Sequence, residues 1–138
     1  MEPLTFLSGV ALSLILKTEQ VVLEPMVDEV AYDALVVAWK IDHPVAFKGV
    51  TQDGDRRLFT ASLGVVASYR EARFRKNPKG NNDKGFACGI MQVNKLHLKF
   101  GSCEAARADR QQGFLEGMSA MVKAIEDCNP GKSDFTAA

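Results

Sequence analysis

The chain has 138 residues, enough for one compact domain, and its 46% hydrophobic content is ordinary for a globular core. Basic and acidic residues each number 17, so the formal net charge of zero does not point to nucleic acid or to a membrane surface as a partner. Three cysteines, Cys88, Cys103 and Cys128, lack the C-x-x-C spacing of a zinc site or a thioredoxin-type motif, and no cofactor or metal is implied.

Leu4 to Leu16 is mostly apolar. It is shorter than the about 18 residues of a membrane span. It also lacks a signal peptide's basic start and a small-x-small cleavage site. The expectation is a helix packed against protein, with an uncleaved export or membrane-contact segment as the alternative. Residues 1–24 are therefore set apart as an N-terminal extension before a domain spanning 25–138.

Pro25 suits the first turn of a helix running to about Lys40, in which Val27, Val30, Ala31, Ala34, Leu35 and Ala38 form one apolar stripe. His43-Pro44 ends that element. Asp53-Gly54 is a turn signal, so Val45 to Arg57 reads as a loop. A second helix runs from about Leu58 to Phe74, with Leu63, Ala67, Glu71 and Phe74 on one face. A carboxylate in line with those side chains is expected against apolar surface, where loss of solvation disfavours its charge. The bland alternative is a surface glutamate paired with Arg75 one turn on.

From Arg75 to Gly85 turn formers follow in a row: Asn77-Pro78, Gly80, Asn81-Asn82-Asp83 and Gly85. This predicts a polar loop, with room for a small hairpin. Arg70, Arg73, Arg75, Lys76, Lys79 and Lys84 cluster around it, more often a solvated rim than a binding site. Gly89 to about Leu98 reads as a short helix or turn. Asp109 with Gln112 has the spacing of a capping box. Behind it Phe114, Leu115, Met118, Met121, Val122 and Ile125 form a core-facing stripe that ends at Cys128-Asn129-Pro130-Gly131. Cys103 and Cys128 bracket these residues and are a candidate pair in an oxidising compartment, a choice the sequence leaves open. His43 and His97 form no metal or nucleophile constellation.

The stretch Ala67-Ser68-Tyr69-Arg70-Glu71-Ala72-Arg73-Phe74, followed by Gly85-Phe86-Ala87-Cys88-Gly89-Ile90-Met91-Gln92-Val93-Asn94, resembles the two signature segments of soluble lytic transglycosylases and their lysozyme-superfamily relatives. In that family a helix ends in a glutamate, a polar loop follows, and then a G-x-A-x-G-[LI]-M-Q segment. The resemblance is clear over residues 61–94. It implies a mostly α, lysozyme-like fold with a polar loop or small hairpin after the glutamate helix. It also implies cleavage of the β-1,4 bond of peptidoglycan glycan strands, in the bacterial periplasm or cell wall.

Residue by residue, Glu71 matches the single general acid and base. Gly89, Ile90, Met91 and Gln92 match the segment that lines the sugar groove, with Asn94 beside it. Gln92's amide is suited to a sugar hydroxyl or acetamido group. For Ile90 and Met91 plain core packing stands as the equal alternative. Asp83 is a candidate second carboxylate that would position a water for hydrolysis, as in true lysozymes, although Asn-Asn-Asp-Lys is also a common turn.

The chain departs from the family in two places. Ala72 replaces the serine usual after the acid, and a tyrosine-bearing A-Y-N-x-G-type segment would begin only about where Phe135-Thr136-Ala137-Ala138 ends the sequence. That leaves three expectations open: a shortened chain, a site completed by another chain, or impaired activity. The corresponding alternative function is a non-catalytic lysozyme-fold component of a virion or secretion apparatus, with other subunits of that assembly as partners.

Overall fold

The computed structural model describes residues 3–18, 24–42, 44, 50–72 and 86–128. The described residues form five α-helices and one two-stranded antiparallel sheet, so the fold is mostly α with a small hairpin, as the sequence leads one to expect. The helices are α1 (Pro3–Thr18), α2 (Glu24–Ala38), α3 (Asp53–Ala72), α4 (Cys103–Ala108) and α5 (Arg110–Cys128). The strands are β1 (Ala87–Cys88) and β2 (Val93–Asn94), and a single 3-10 turn covers Lys95–His97.

One apolar cluster joins α1, α2, α3 and α5. Leu7 and Ala11 of α1 meet the α2 stripe of Val27, Val30, Ala31, Ala34, Val37 and Ala38. Ala61, Val65 and Tyr69 of α3 and Phe114, Met118 and Val122 of α5 belong to it too, as do Ile41, Ile90 and Met91. The N-terminal apolar segment is thus a helix packed on α2 and α3 and shares their core. No described helix is long and apolar enough to cross a membrane.

Two boundaries differ from the sequence reading. Helix α2 stops at Ala38, before His43-Pro44, and Arg57 closes its end. The Arg57 Nη1 donates to the carbonyls of Ala38 and Ile41, each at 2.7 Å, and the guanidinium lies over the Trp39 ring, 5.0 Å from its centroid. A cation on the last carbonyls suits the negative end of the helix dipole. Helix α3 begins at Asp53, so Asp53-Gly54 opens a helix instead of marking a turn. Asp53 and Asp55 fall in the first turn, where the exposed N–H groups favour negative charge, and Asp53 also accepts from Arg57 Nε at 2.9 Å one turn on.

Between α4 and α5, Asp109 does cap the second helix, its Oδ1 accepting from the Gln111 N–H at 2.9 Å. Gln112 does not return the bond that a full capping box needs. Arg110, next in line, ties α5 to α2 through Asp33 at 3.0 Å and Glu29 at 2.7 Å. Burial pulls the Arg110 pKa down, but hydrogen bonds to Glu29 and Asp33 and their charges outweigh it and leave the group raised, so the guanidinium stays charged.

Candidate active site

Helix α3 carries Glu71 in its last turn. The buried face of α3 consists of Thr60, Ala61, Gly64, Val65, Ser68, Tyr69 and Ala72. At 3.6 residues per turn, Glu71 projects roughly 75° from the centre of that face. Ala67 and Leu63 lie further round the helix, roughly 115° and 155° from that centre, and are half-buried, while Glu71 itself is exposed. The expectation of a carboxylate held in an apolar pocket is therefore corrected. The stripe of Leu63, Ala67 and Glu71 is real, but it borders the core instead of entering it. Phe74, Asp83 and the cluster Arg73, Arg75, Lys76, Lys79 and Lys84 lie outside the described residues, and Arg70 is exposed.

The Gly89–Gln92 segment is a tight turn joining β1 to β2, with Ala87 opposite Asn94 and Cys88 opposite Val93. Gly89 has φ +76° and Gln92 φ +52°, both in the left-handed region. Gly89 fits there for two reasons. The conformation costs glycine nothing, and a Cβ at this position would lie 2.9 Å from the Ala106 carbonyl oxygen of α4. Gln92 has no such exemption, so its conformation costs on the order of 1 kcal/mol. Two bonds to one acceptor offset this: the backbone N–H and the side-chain Nε2 of Gln92 both donate to the Gly89 carbonyl, at 3.1 and 2.8 Å.

Ile90 is fully buried and Met91 nearly so. Both side chains pack inward against α5, so of the two readings left open for them, groove lining and core packing, the structure shows core packing. The reason is visible on α5, where two glycines open its surface. Ile90 lies against Gly113, and a Cβ at Gly117 would come within 2.5 Å of Met91 Cβ and Sδ. On the next residue of α5, Met118 packs its sulfur over Gly64 of α3, where an added Cβ would lie 2.7 Å away. Gly64 and Glu71 are two helical turns apart on one face of α3. Helix α5 thus links the Gly89–Gln92 turn to the side of α3 that bears Glu71.

Gln92 is half-buried, and its amide nitrogen is already engaged within the turn. Asn94 is exposed and caps the 3-10 turn, its Oδ1 accepting from the Leu96 N–H at 2.9 Å. The site roles expected of these two residues thus meet side chains occupied in holding local structure.

The turn is fastened from outside as well. Cys88, immediately before Gly89, is disulfide-bonded to Cys103 at the start of α4, and Cys128 is free and exposed. This corrects the candidate pair Cys103–Cys128. A disulfide needs Cα atoms within about 7 Å. Helix α5, 19 residues long, carries Cys128 roughly 28 Å away from its own N-terminus beside α4. Arg107 of α4 adds a bond to the Ala87 carbonyl at 3.2 Å.

Sequence reasoning missed Glu116, a carboxylate only 3% exposed on α5. Its two oxygens accept from the backbone N–H groups of Lys99 (2.7 Å) and Phe100 (3.0 Å), fixing the loop that leaves the hairpin. The available signal was its place beside Gly113 and Gly117, whose spacing marks a helix face that other backbone approaches closely. No group of three or more His, Cys, Asp or Glu side chains among the described residues is arranged to hold a metal ion.

No family model matches this chain, and neither a curated protein nor a solved structure matches it.

Proposed function

We propose that the chain is a peptidoglycan lytic transglycosylase that cleaves the β-1,4 bond between N-acetylmuramic acid and N-acetylglucosamine, with Glu71 as general acid and then base. One observation carries this reading: the glutamate at the end of α3 and the Gly89-Ile90-Met91-Gln92 turn occur together, in the order and at the spacing of the family they resemble. The close contacts of α5 with both elements support it.

In this mechanism the Glu71 carboxyl donates its proton to the glycosidic oxygen as the C1–O bond breaks. The resulting carboxylate then takes the proton of the muramyl 6-hydroxyl while that oxygen closes on C1, giving a 1,6-anhydro end. Because Glu71 is exposed, water has to be excluded from around its carboxyl by the bound glycan strand. The disulfide of Cys88 and Cys103 suits an oxidising compartment such as the bacterial envelope, which is where the substrate lies.

The exposure of Glu71 favours a second reading, a lysozyme-fold component of a virion or envelope assembly that binds peptidoglycan without cutting it. Purified protein incubated with stripped sacculi separates the two. Clearing that Glu71→Gln abolishes, with anhydro ends among the released fragments, is expected of the enzyme. Reducing ends would mean hydrolysis instead. Equal turbidity traces for wild type and Glu71→Gln would leave only the binding role.

A further inference from the structure

The buried stripe of α2 turns toward the core, and on the opposite side of the helix Tyr32 and Trp39 are 54% and 57% exposed. Trp39 follows the last residue of α2, but its N–H still donates to the Leu35 carbonyl at 3.2 Å, so it keeps the helical register. Seven residues after Tyr32, it lies two turns on, roughly 20° from it around the axis and about 10 Å along it. Two large rings thus stand in line on one face, in water.

The Trp39 ring is also held. The Arg57 guanidinium lies 5.0 Å from its centroid, and Arg57 is itself fixed by Asp53 and by the carbonyls of Ala38 and Ile41. The guanidinium covers one face of the indole, and the exposure that remains leaves the other face open. A ring fixed in this way loses little freedom when a ligand stacks on it.

Flat uncharged rings take ligands with flat apolar patches, and a pyranose whose hydroxyls are all equatorial offers one of C–H groups on each face. Alternate sugars of an extended β-1,4 chain present the same face, and they repeat at about 10 Å, the two-turn spacing of the rings. Side chains on one face of an extended peptide recur at about 7 Å instead. Charge disfavours other partners. Helix α2 contains Glu24, Asp28, Glu29 and Asp33 and no basic residue, and the charge of Arg57 is matched by Asp53 at 2.9 Å. RNA or an anionic bilayer would be repelled, and a second copy of this face would set like charges against like.

We propose that Tyr32 and Trp39 form a stacking rail for a β-1,4-linked amino-sugar glycan, each ring taking one sugar with one more between them. The choice of glycan rests on the reading of peptidoglycan as substrate. In a strand that alternates two sugars, rings two units apart meet the same kind of sugar. Arg57, stacked on Trp39, precedes Glu71 by 14 residues, roughly 21 Å along α3, so the rail holds the strand at a point separate from the acid.

Trp39 is the only tryptophan in the sequence, so intrinsic fluorescence reads the rail directly. The test titrates the full, disulfide-bonded Glu71→Gln chain with β-1,4-linked N-acetylglucosamine dimer and trimer. The dimer reaches one ring and the trimer both, so the trimer is expected to change the emission and to bind about tenfold more tightly, the size of one stacking contact. Tyr32→Ala should return the trimer to the affinity of the dimer, and Tyr32→Phe should keep the difference. The proposal is overturned if millimolar trimer leaves the emission unchanged, or if dimer and trimer bind alike. It is equally overturned if a proline-rich peptide or an oligonucleotide matches the trimer, or if dilution of the protein alone moves the emission, the sign of a second copy. The readout is independent of cleavage. Length-dependent binding by a chain whose wild type never clears sacculi sinks the enzyme alone, and clearing without it sinks the rail alone.

Discussion

The Gly89–Gln92 turn and the last turn of α3 carry the two halves of the proposed site, yet they are held in opposite ways. The turn is fixed by a disulfide, by glycines on both sides of its contacts with α4 and α5, and by a side chain bonded back to its own backbone. Among the described residues, Glu71 is held by its helix, with Ala72 buried beside it and its own carboxylate exposed. A turn fixed on several sides contrasts with a carboxylate that water reaches. The difference teaches that mutations in the turn should act on stability, whereas mutation of Glu71 should act on chemistry alone.

The sharpest way to break that comparison is Glu71→Gln. Loss of a general acid costs on the order of 10²–10⁴ in rate, and an exposed substitution changes stability by no more than about 0.5 kcal/mol. Activity on sacculi should therefore vanish while the thermal midpoint stays put. A large drop in the midpoint would show that Glu71 is part of the scaffold and would undo its assignment.

Next in size is the Cys88–Cys103 bond, which closes a loop of 15 residues. Replacing both cysteines with alanine should cost about 3 kcal/mol, mostly by freeing the unfolded chain. Removing Cys128 instead, exposed and unpaired, should leave urea unfolding unchanged. If the two experiments gave the reverse result, the pairing would be wrong and the turn would lose its outer fastening.

Glu116→Gln comes third. The amide keeps one acceptor but turns an N–H₂ toward a backbone N–H, leaving one part-buried donor of Lys99 or Phe100 without its partner, a loss of about 1 kcal/mol. Hydrogen exchange should locate the effect at those two amides. Protection unchanged there would mean that the carboxylate is not what orders the loop.

How legible each region was follows the same division. The stripes of α2 and α5 could be read because Val27, Val30, Ala34 and Phe114, Met118, Val122 repeat at helical spacing, and burial follows that spacing directly. The start of α3 was hidden because Asp53-Gly54 has turn chemistry, and only the pairing of Asp53 with Arg57 shows the helix. Glu71's neighbours misled because the stripe through Leu63 and Ala67 is apolar by composition yet only half-buried, while the packed face centres on Ala61, Ser68 and Ala72. The disulfide partner was unreadable because it depends on where a hairpin meets α4, a tertiary fact with no local signature.

The smallest effect sharpens the comparison most, because it separates strain from bonding inside the turn. Gln92→Ala keeps the positive φ and loses the side-chain bond to the Gly89 carbonyl, so it should cost about 1 kcal/mol. Gln92→Gly loses the same bond but also relieves a left-handed conformation worth about 1 kcal/mol, so the two terms nearly cancel. Chemical denaturation should then place the glycine variant close to wild type and the alanine variant about 1 kcal/mol below it. Were glycine no better than alanine, φ at this position would carry no strain, and the Gln92 side chain would be a convenience of the turn, not its compensation.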